Sequence, residues 1–258
     1  MKKFVKSAIL AGATLLSLGA LTACGGNNQE DEIIIGVAMS LYPVSRTLVA
    51  AFEEANDGIS VEITAASSGA LQGQIEAGAD IDVFFSAAMG QMNALDSQGL
   101  LYGESQIVVR NSLALVVPIG STLAINSFAD LASDEVVQIG VGDEAMPAGN
   151  FAREVFEIQG VLDEANAKSV LGNTVAQILT WVELGEVDAG VIFMTDAATS
   201  DLVRVVEVAD PAWHSPSVNP IAIVADSQNV DAARAFIDFL FTPAARAIFE
   251  QYGFTMFN

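Results

Sequence analysis

In 258 residues the chain carries 32 acidic side chains against ten lysines and arginines, a formal charge of -22, with one histidine and one cysteine. Such acidity makes nucleic acid an implausible partner. The single His and Cys exclude intrachain disulfides, thiolate zinc centres and metal clusters that need two histidines, and no G-x-S-x-G nucleophile elbow is present.

Lys2, Lys3 and Lys6 precede an apolar stretch over residues 9–21, the pattern of an export signal. The stretch is short for a membrane span. It ends in Leu21-Thr22-Ala23-Cys24, which resembles the lipobox of bacterial lipoproteins. Residues 1–23 are therefore predicted to be a signal peptide, Cys24 the lipidated first residue, and 24–31 a polar tether. The protein is expected in the cell envelope, anchored through lipid and facing the periplasm or the cell exterior. Removing the signal leaves seven basic residues against 32 acidic ones, a formal charge of -25. An anion site here must then rest on local dipoles and hydrogen-bond donors, not on net positive charge.

Past the tether, residues 32–38 form an apolar run suited to a buried strand, and Val44, Leu48, Phe52 and Ala55 take up helical spacing. The unit repeats as strand 59–65, helix 71–77, strand 81–85 and helix 89–95. Met89, Met92 and Leu95 are expected in the core, although an exposed stripe of this kind could meet a protein partner. Alternating strands and helices imply an α/β fold with mostly parallel sheets covered on both faces. Two β-rich runs, 106–109 and 113–117, flank Arg110-Asn111-Ser112 and mark a domain crossing. A second set follows: strand 136–141, helices 151–158 and 175–184, strands 189–193 and 202–208. The turn-rich stretch 211–220, with His214 as a turn residue, returns the chain to a strand at 221–224 and a helix through Ala233, Phe236, Ile237 and Leu240. Thr242-Pro243 opens a final helix. Residues 32–111 and 218–258 are expected to form one domain and 112–217 the other.

Four segments put a polar or glycine-containing turn where a strand passes into a helix: Ala38-Met39-Ser40-Leu41, Ala66-Ser67-Ser68-Gly69, Met146-Pro147-Ala148-Gly149 and Gly172-Asn173-Thr174-Val175. Unpartnered N–H groups and the helix dipole let such turns hold an oxyanion. Each could equally be a plain helix cap, Ser68 and Thr174 above all.

These segments resemble the binding component of molybdate and tungstate ABC transporters. The resemblance extends through Gln74-Ile75-Glu76-Ala77-Gly78, Asp82-Val83-Phe84-Phe85-Ser86-Ala87, Gly142-Asp143, Gly190-Val191-Ile192-Phe193, Thr195-Asp196-Ala197 and residues 239–254. It implies a two-domain periplasmic binding protein fold, type II-like, with the anion in the interdomain cleft. It also implies a monomer without cofactor that delivers its ligand to a membrane permease. By position, the anion donors it implies fall on the side chains and backbone of Ser40 and Ser68 and the backbone N–H groups of Ala148 and Val175. A fifth donor, a tyrosine hydroxyl, falls on Phe193, which has none. Tyr42 is a candidate replacement. Asp82 belongs to a family motif but would repel an anion, and is expected to be structural.

A donor-only pocket suits molybdate, tungstate and sulfate, which arrive fully deprotonated, better than phosphate, which keeps a proton that calls for an acceptor. Sulfate or another small anion is the alternative ligand. An exported enzyme is the alternative class, but nothing marks out a glycosidase-like carboxylate pair. Asp80 and Asp82 are explained as polar residues at a strand start.

Overall fold

The computed structural model describes residues 31–144 and 146–257. The predicted signal peptide, Cys24 and the rest of the predicted tether up to residue 30 lie outside the described residues. Asp31, expected in the tether, already belongs to the first strand: its N–H bonds the Gly58 carbonyl at 2.9 Å and it pairs with Ile59.

The first lobe begins with β1 (Asp31–Ala38), α1 (Tyr42–Ala55), β2 (Ile59–Ala66), α2 (Ser68–Glu76), β3 (Val83–Phe85), α3 (Met89–Ser97) and β4 (Leu101–Arg110). The second lobe comprises β5 (Leu113–Pro118), β6 (Ile139–Gly142), α4 (Pro147–Gln159), α5 (Leu162–Ala167), β7 (Ser169–Gly172), α6 (Val175–Leu184), β8 (Ala189–Phe193), α7 (Met194–Ala197) and β9 (Val203–Val208). The chain returns to the first lobe as β10 (Val218–Val224), α8 (Val230–Leu240), α9 (Pro243–Gln251) and β11 (Thr255–Met256). The sheet orders are β11-β4-β10-β3-β1-β2 and β7-β6-β8-β5-β9.

The sheets are mixed, not mostly parallel as the alternation predicts. β1 runs parallel to β2 and β3, and β6 parallel to β7 and β8. β10 opposes β3 and β4, however, and β5 opposes β8 and β9. Both reversed strands follow an interlobe crossing and not a helix, so nothing returns them to a parallel start.

Helical spacing in α1 is repaid by packing: Val44, Leu48 and Phe52 are buried, and the Phe52 ring meets that of Phe236 edge-on at 5.3 Å. Each such side chain contributes about 1.5–3 kcal/mol of burial free energy. Met92 and Leu95 are fully buried on α3, which removes them as a partner-binding stripe.

In the second lobe α6 packs onto its sheet over three glycines. Gly140, Gly172 and Gly190 stand beneath it on β6, β7 and β8. A methyl at these positions would come within 2.9 Å of Ile178, 2.7 Å of Ile178 and 2.6 Å of Val182 respectively. The three glycines thus set the height of α6, and with it the position of its N-terminus.

Candidate functional site

The strand directions bring the carboxyl edges of the two sheets together. β1, β2 and β3 end at one edge, and β4, opposed to β10, ends there too at Arg110. β5 opposes β8, so its first residue, Leu113, pairs with Phe193 at the carboxyl edge of the second sheet. Only Asn111 and Ser112 separate the two strands. The return joins the same edges, since Val208 pairs with Ala114 and Val218 with Arg110. Asn111 fastens the junction: its N–H donates to Ser217 O at 2.9 Å and its Nδ2 to Thr195 Oγ1 at 2.8 Å. Carboxyl ends of parallel strands are where open α/β sheets take their ligands.

On the first lobe, Ala38 pairs with Ala66. Ser40 and Ser68 each follow that pair by two residues, on strands spaced about 4.8 Å apart. Ser40 is exposed on a 3-10 turn, Met39–Leu41. The cap of α2 is Ser67, whose Oγ accepts the Ala70 N–H at 3.2 Å. Ser68 is half-buried and does something else, because its Oγ accepts the Ala87 N–H at 3.0 Å from the turn after β3. One lone pair of that hydroxyl is committed to Ala87, which leaves its proton available for donation.

On the second lobe, Gly142 pairs with Gly172, and the Asp143 N–H bonds Gly172 O at 3.1 Å, so the turns after β6 and β7 are tied together. Thr174 is the cap of α6: its Oγ1 accepts the Gln177 N–H at 3.1 Å, while Gln177 Oε1 accepts the Asn173 N–H at 2.9 Å. Val175, half-buried, is the first helical residue, and its N–H has no partner within the helix. Ala148 is buried as the second residue of α4, after Pro147, which has no N–H. Gly149 makes this turn possible. A methyl there would fall on the carbonyl oxygens of Gly142 and Asp143.

The structure thus brings Ser40 with Ser68, and Ala148 with Val175, onto carboxyl edges that meet at the crossings. Phe193, half-buried at the end of β8, packs edge-on against Phe151 of α4 at 6.4 Å. Tyr42 shares a groove with Arg46, Thr47 and Tyr252, lined by first-lobe residues alone, with the Arg46 guanidinium 6.0 Å above its ring. Asp82 is buried at the opposite, amino end of β3. Its carboxylate accepts the Ile34 N–H at 2.8 Å and the Ser227 hydroxyl at 2.5 Å, a structural brace.

Two nearby groups carry charge. Arg153 donates to Gly142 O at 3.3 Å and so stands behind the α4 turn. Asp196, on α7, is pushed up to about 6 by burial, against the opposing pull of backbone and Thr195 hydrogen bonds. Among the described residues no group of three or more His, Cys, Asp and Glu could hold a metal, and no helix is long and apolar enough to cross a membrane.

Sequence reasoning missed Arg153, whose contact with Gly142 spans the α4 turn. It also misjudged His214, which is not a plain turn residue but buried and stacked on Phe151 at 5.2 Å. Only a tertiary aromatic contact reveals this.

Residues 33–255 match the family model of the bacterial extracellular solute-binding proteins. Bacillus subtilis YvgL, assigned as an ABC transporter substrate-binding lipoprotein, is 34% identical over 94% of this chain and 96% of its own length. The molybdate-binding protein ModA of Escherichia coli is 33% identical, covering 91% of this chain and 93% of its own. Among solved structures, a Clostridium difficile substrate-binding domain assigned to a molybdenum ABC transporter superposes with a TM-score of 0.84. It is 33% identical and covers 88% of this chain and 99% of its own.

Proposed function

The chain belongs to the bacterial extracellular solute-binding protein family, and from that premise we propose that it captures molybdate or tungstate between its lobes and delivers it to an ABC importer. What supports this reading is the placement of the four donor turns, in two pairs on sheet edges that the interlobe crossings join. Ser40 and Ser68 supply hydroxyls from one lobe, Ala148 and Val175 supply N–H groups from the other, and none of the four is a carboxylate, the acceptor-only group that best holds the proton of a protonated phosphate. Ligand identity rests further on the ModA relatives. The protein acts as a monomer without cofactor.

Thermal unfolding of the mature protein tests the proposal. A ligand that binds only the native state stabilises it by about 2.7 kcal/mol at a hundredfold excess over its Kd. Molybdate and tungstate should raise Tm, and phosphate should do much less. A phosphate shift as large as the molybdate shift would end the donor-only reading, and a larger shift with sulfate would reassign the ligand.

Cys24 anchors the protein through lipid in this reading, as the lipobox-like ending of its signal suggests. Cys24→Ser should move the protein out of the membrane fraction or block its processing. Unchanged retention after normal removal of residues 1–23 would defeat the anchor.

Phe193 leaves one anion oxygen short of a hydroxyl. Tyr42, at the start of α1 just after the Ser40 turn and in a groove lined by first-lobe residues, is the candidate replacement. Phe193→Tyr should tighten molybdate binding about tenfold, since a charge-assisted hydrogen bond contributes about 1.5–3 kcal/mol and one decade corresponds to about 1.4. Calorimetry of Phe193→Tyr, Tyr42→Phe and the double variant checks this. A clear loss of affinity in Phe193→Tyr would show that the pocket is not the family's pocket minus one donor.

A further inference from the structure

Both donor turns of the second lobe are joined to one cation. Arg153 Nη2 donates to Gly142 O at 3.3 Å. The peptide that carries this carbonyl ends in the Asp143 N–H, which donates to Gly172 O at 3.1 Å. The next peptide in this path ends in the Asn173 N–H, which donates to Gln177 Oε1 at 2.9 Å, and the Gln177 N–H bonds the Thr174 cap at the head of α6. Each of the two peptide dipoles thus turns its negative end toward the guanidinium and its positive end toward the α6 turn, so the bonds polarise one another in one direction.

The cation is short of solvent at one end. Arg153 is half-buried, and its Nη1 is buried with no hydrogen-bond partner among the described residues. A guanidinium keeps its charge wherever it stands, and one that water covers incompletely acts on a nearby anion more strongly than an exposed one does. Nη1 does not reach a ligand. Arg153 therefore works on the cleft through its field and through the two turns it ties together.

On the premise of the anion site proposed above, we infer that Arg153 is a positioning residue that makes the cleft prefer doubly charged tetrahedral oxyanions over singly charged ones of the same shape. Hydroxyl and N–H donors meet the oxygens of either class. A fixed cation adds an attraction proportional to ligand charge, so a dianion gains twice what a monoanion gains. A brace that merely held Gly142 in place would serve both classes equally.

Molybdate and perrhenate, a dianion and a monoanion with the same tetrahedral shape, separate the two roles. Calorimetry of the full mature protein measures molybdate directly and perrhenate by competition. Arg153→Gln keeps a donor for Gly142 O and removes the charge. It should weaken molybdate about tenfold and perrhenate only about threefold, because the lost attraction scales with ligand charge. Arg153→Lys keeps the charge and should recover most of the lost molybdate affinity. Asp143 retains its carboxylate in every variant, so its charge cancels from these ratios. Equal losses for the two anions in Arg153→Gln, or a lysine variant as weak as the glutamine one, would overturn the inference and leave the anion site standing. A parent protein that binds neither anion takes both down. Should perrhenate compete too weakly to measure, the lysine and glutamine variants decide on molybdate alone. Arg153→Met replaces Arg153→Gln where circular dichroism shows the latter unfolded, and if neither neutral variant folds, Arg153 is a structural brace and that outcome also overturns the inference.

Discussion

Ser68→Ala is expected to weaken molybdate binding by about 1.5–3 kcal/mol, the range for a hydrogen bond to a charged group, or roughly 10- to 150-fold. It should also destabilise the ligand-free protein, because the same oxygen accepts the Ala87 N–H and its loss leaves that donor unpartnered at about 1–3 kcal/mol if water cannot reach it. Ser40→Ala separates the two effects. Its hydroxyl sits on an exposed turn, so binding should fall by a similar amount while stability stays within about 0.5 kcal/mol. Calorimetry and urea unfolding of both variants provide the check. If both bound molybdate like the parent, the site would lie elsewhere.

Gly149→Ala should have the larger consequence. The new methyl would meet two backbone carbonyls, those of Gly142 and Asp143, and backbone cannot rotate out of the way as a side chain can. The first turn of α4 must lift, at about 1–3 kcal/mol for overpacking. The Ala148 N–H leaves the edge with it. Asp143 N–H holds Gly172 O, so the turn before Val175 is disturbed as well. Losing two donors at about 1.5–3 kcal/mol each puts affinity down by at least about a hundredfold. Gly73→Ala is the control: a methyl there meets nothing within 4 Å inside α2, and the helix should gain up to about 1 kcal/mol. Near-parental molybdate affinity in Gly149→Ala would show that the α4 turn does not hold the anion.

Periodicity was most informative where one face is buried. Val175–Leu184 and Ala189–Phe193 have the bounds that the pattern predicts. β7 escaped, because its four residues include only two apolar side chains, Val170 and Leu171, and a glycine. β4 runs from Leu101, further back than expected, through an exposed Tyr102-Gly103-Glu104 that carries no strand signal. The reversed directions of β5 and β10 are set by where the chain crosses between lobes, which residue spacing does not encode. Within the site, the turns were legible because strand-to-helix passages announce themselves through Ser, Gly and Pro. Which serine caps α2 was not: Ser67 takes the Ala70 N–H of the helix, and only the tertiary contact with Ala87 sets Ser68 apart.

The glycines under α6 and at the α4 turn bear on how a lineage of such proteins could change its ligand. In the proposed site the second lobe contributes backbone N–H groups, and a backbone donor survives every side-chain substitution except proline. Its placement is specified by positions where no side chain protrudes, Gly140, Gly142, Gly149, Gly172 and Gly190, and a change at any of these disturbs the scaffold before it alters selectivity. Single-codon drift thus finds few neutral steps on that side. The first lobe is different, because a serine hydroxyl can be lost or replaced one residue at a time. New preferences have their accessible starting points at Ser40, Ser68 and Phe193, and the other half of the cage persists as inherited architecture.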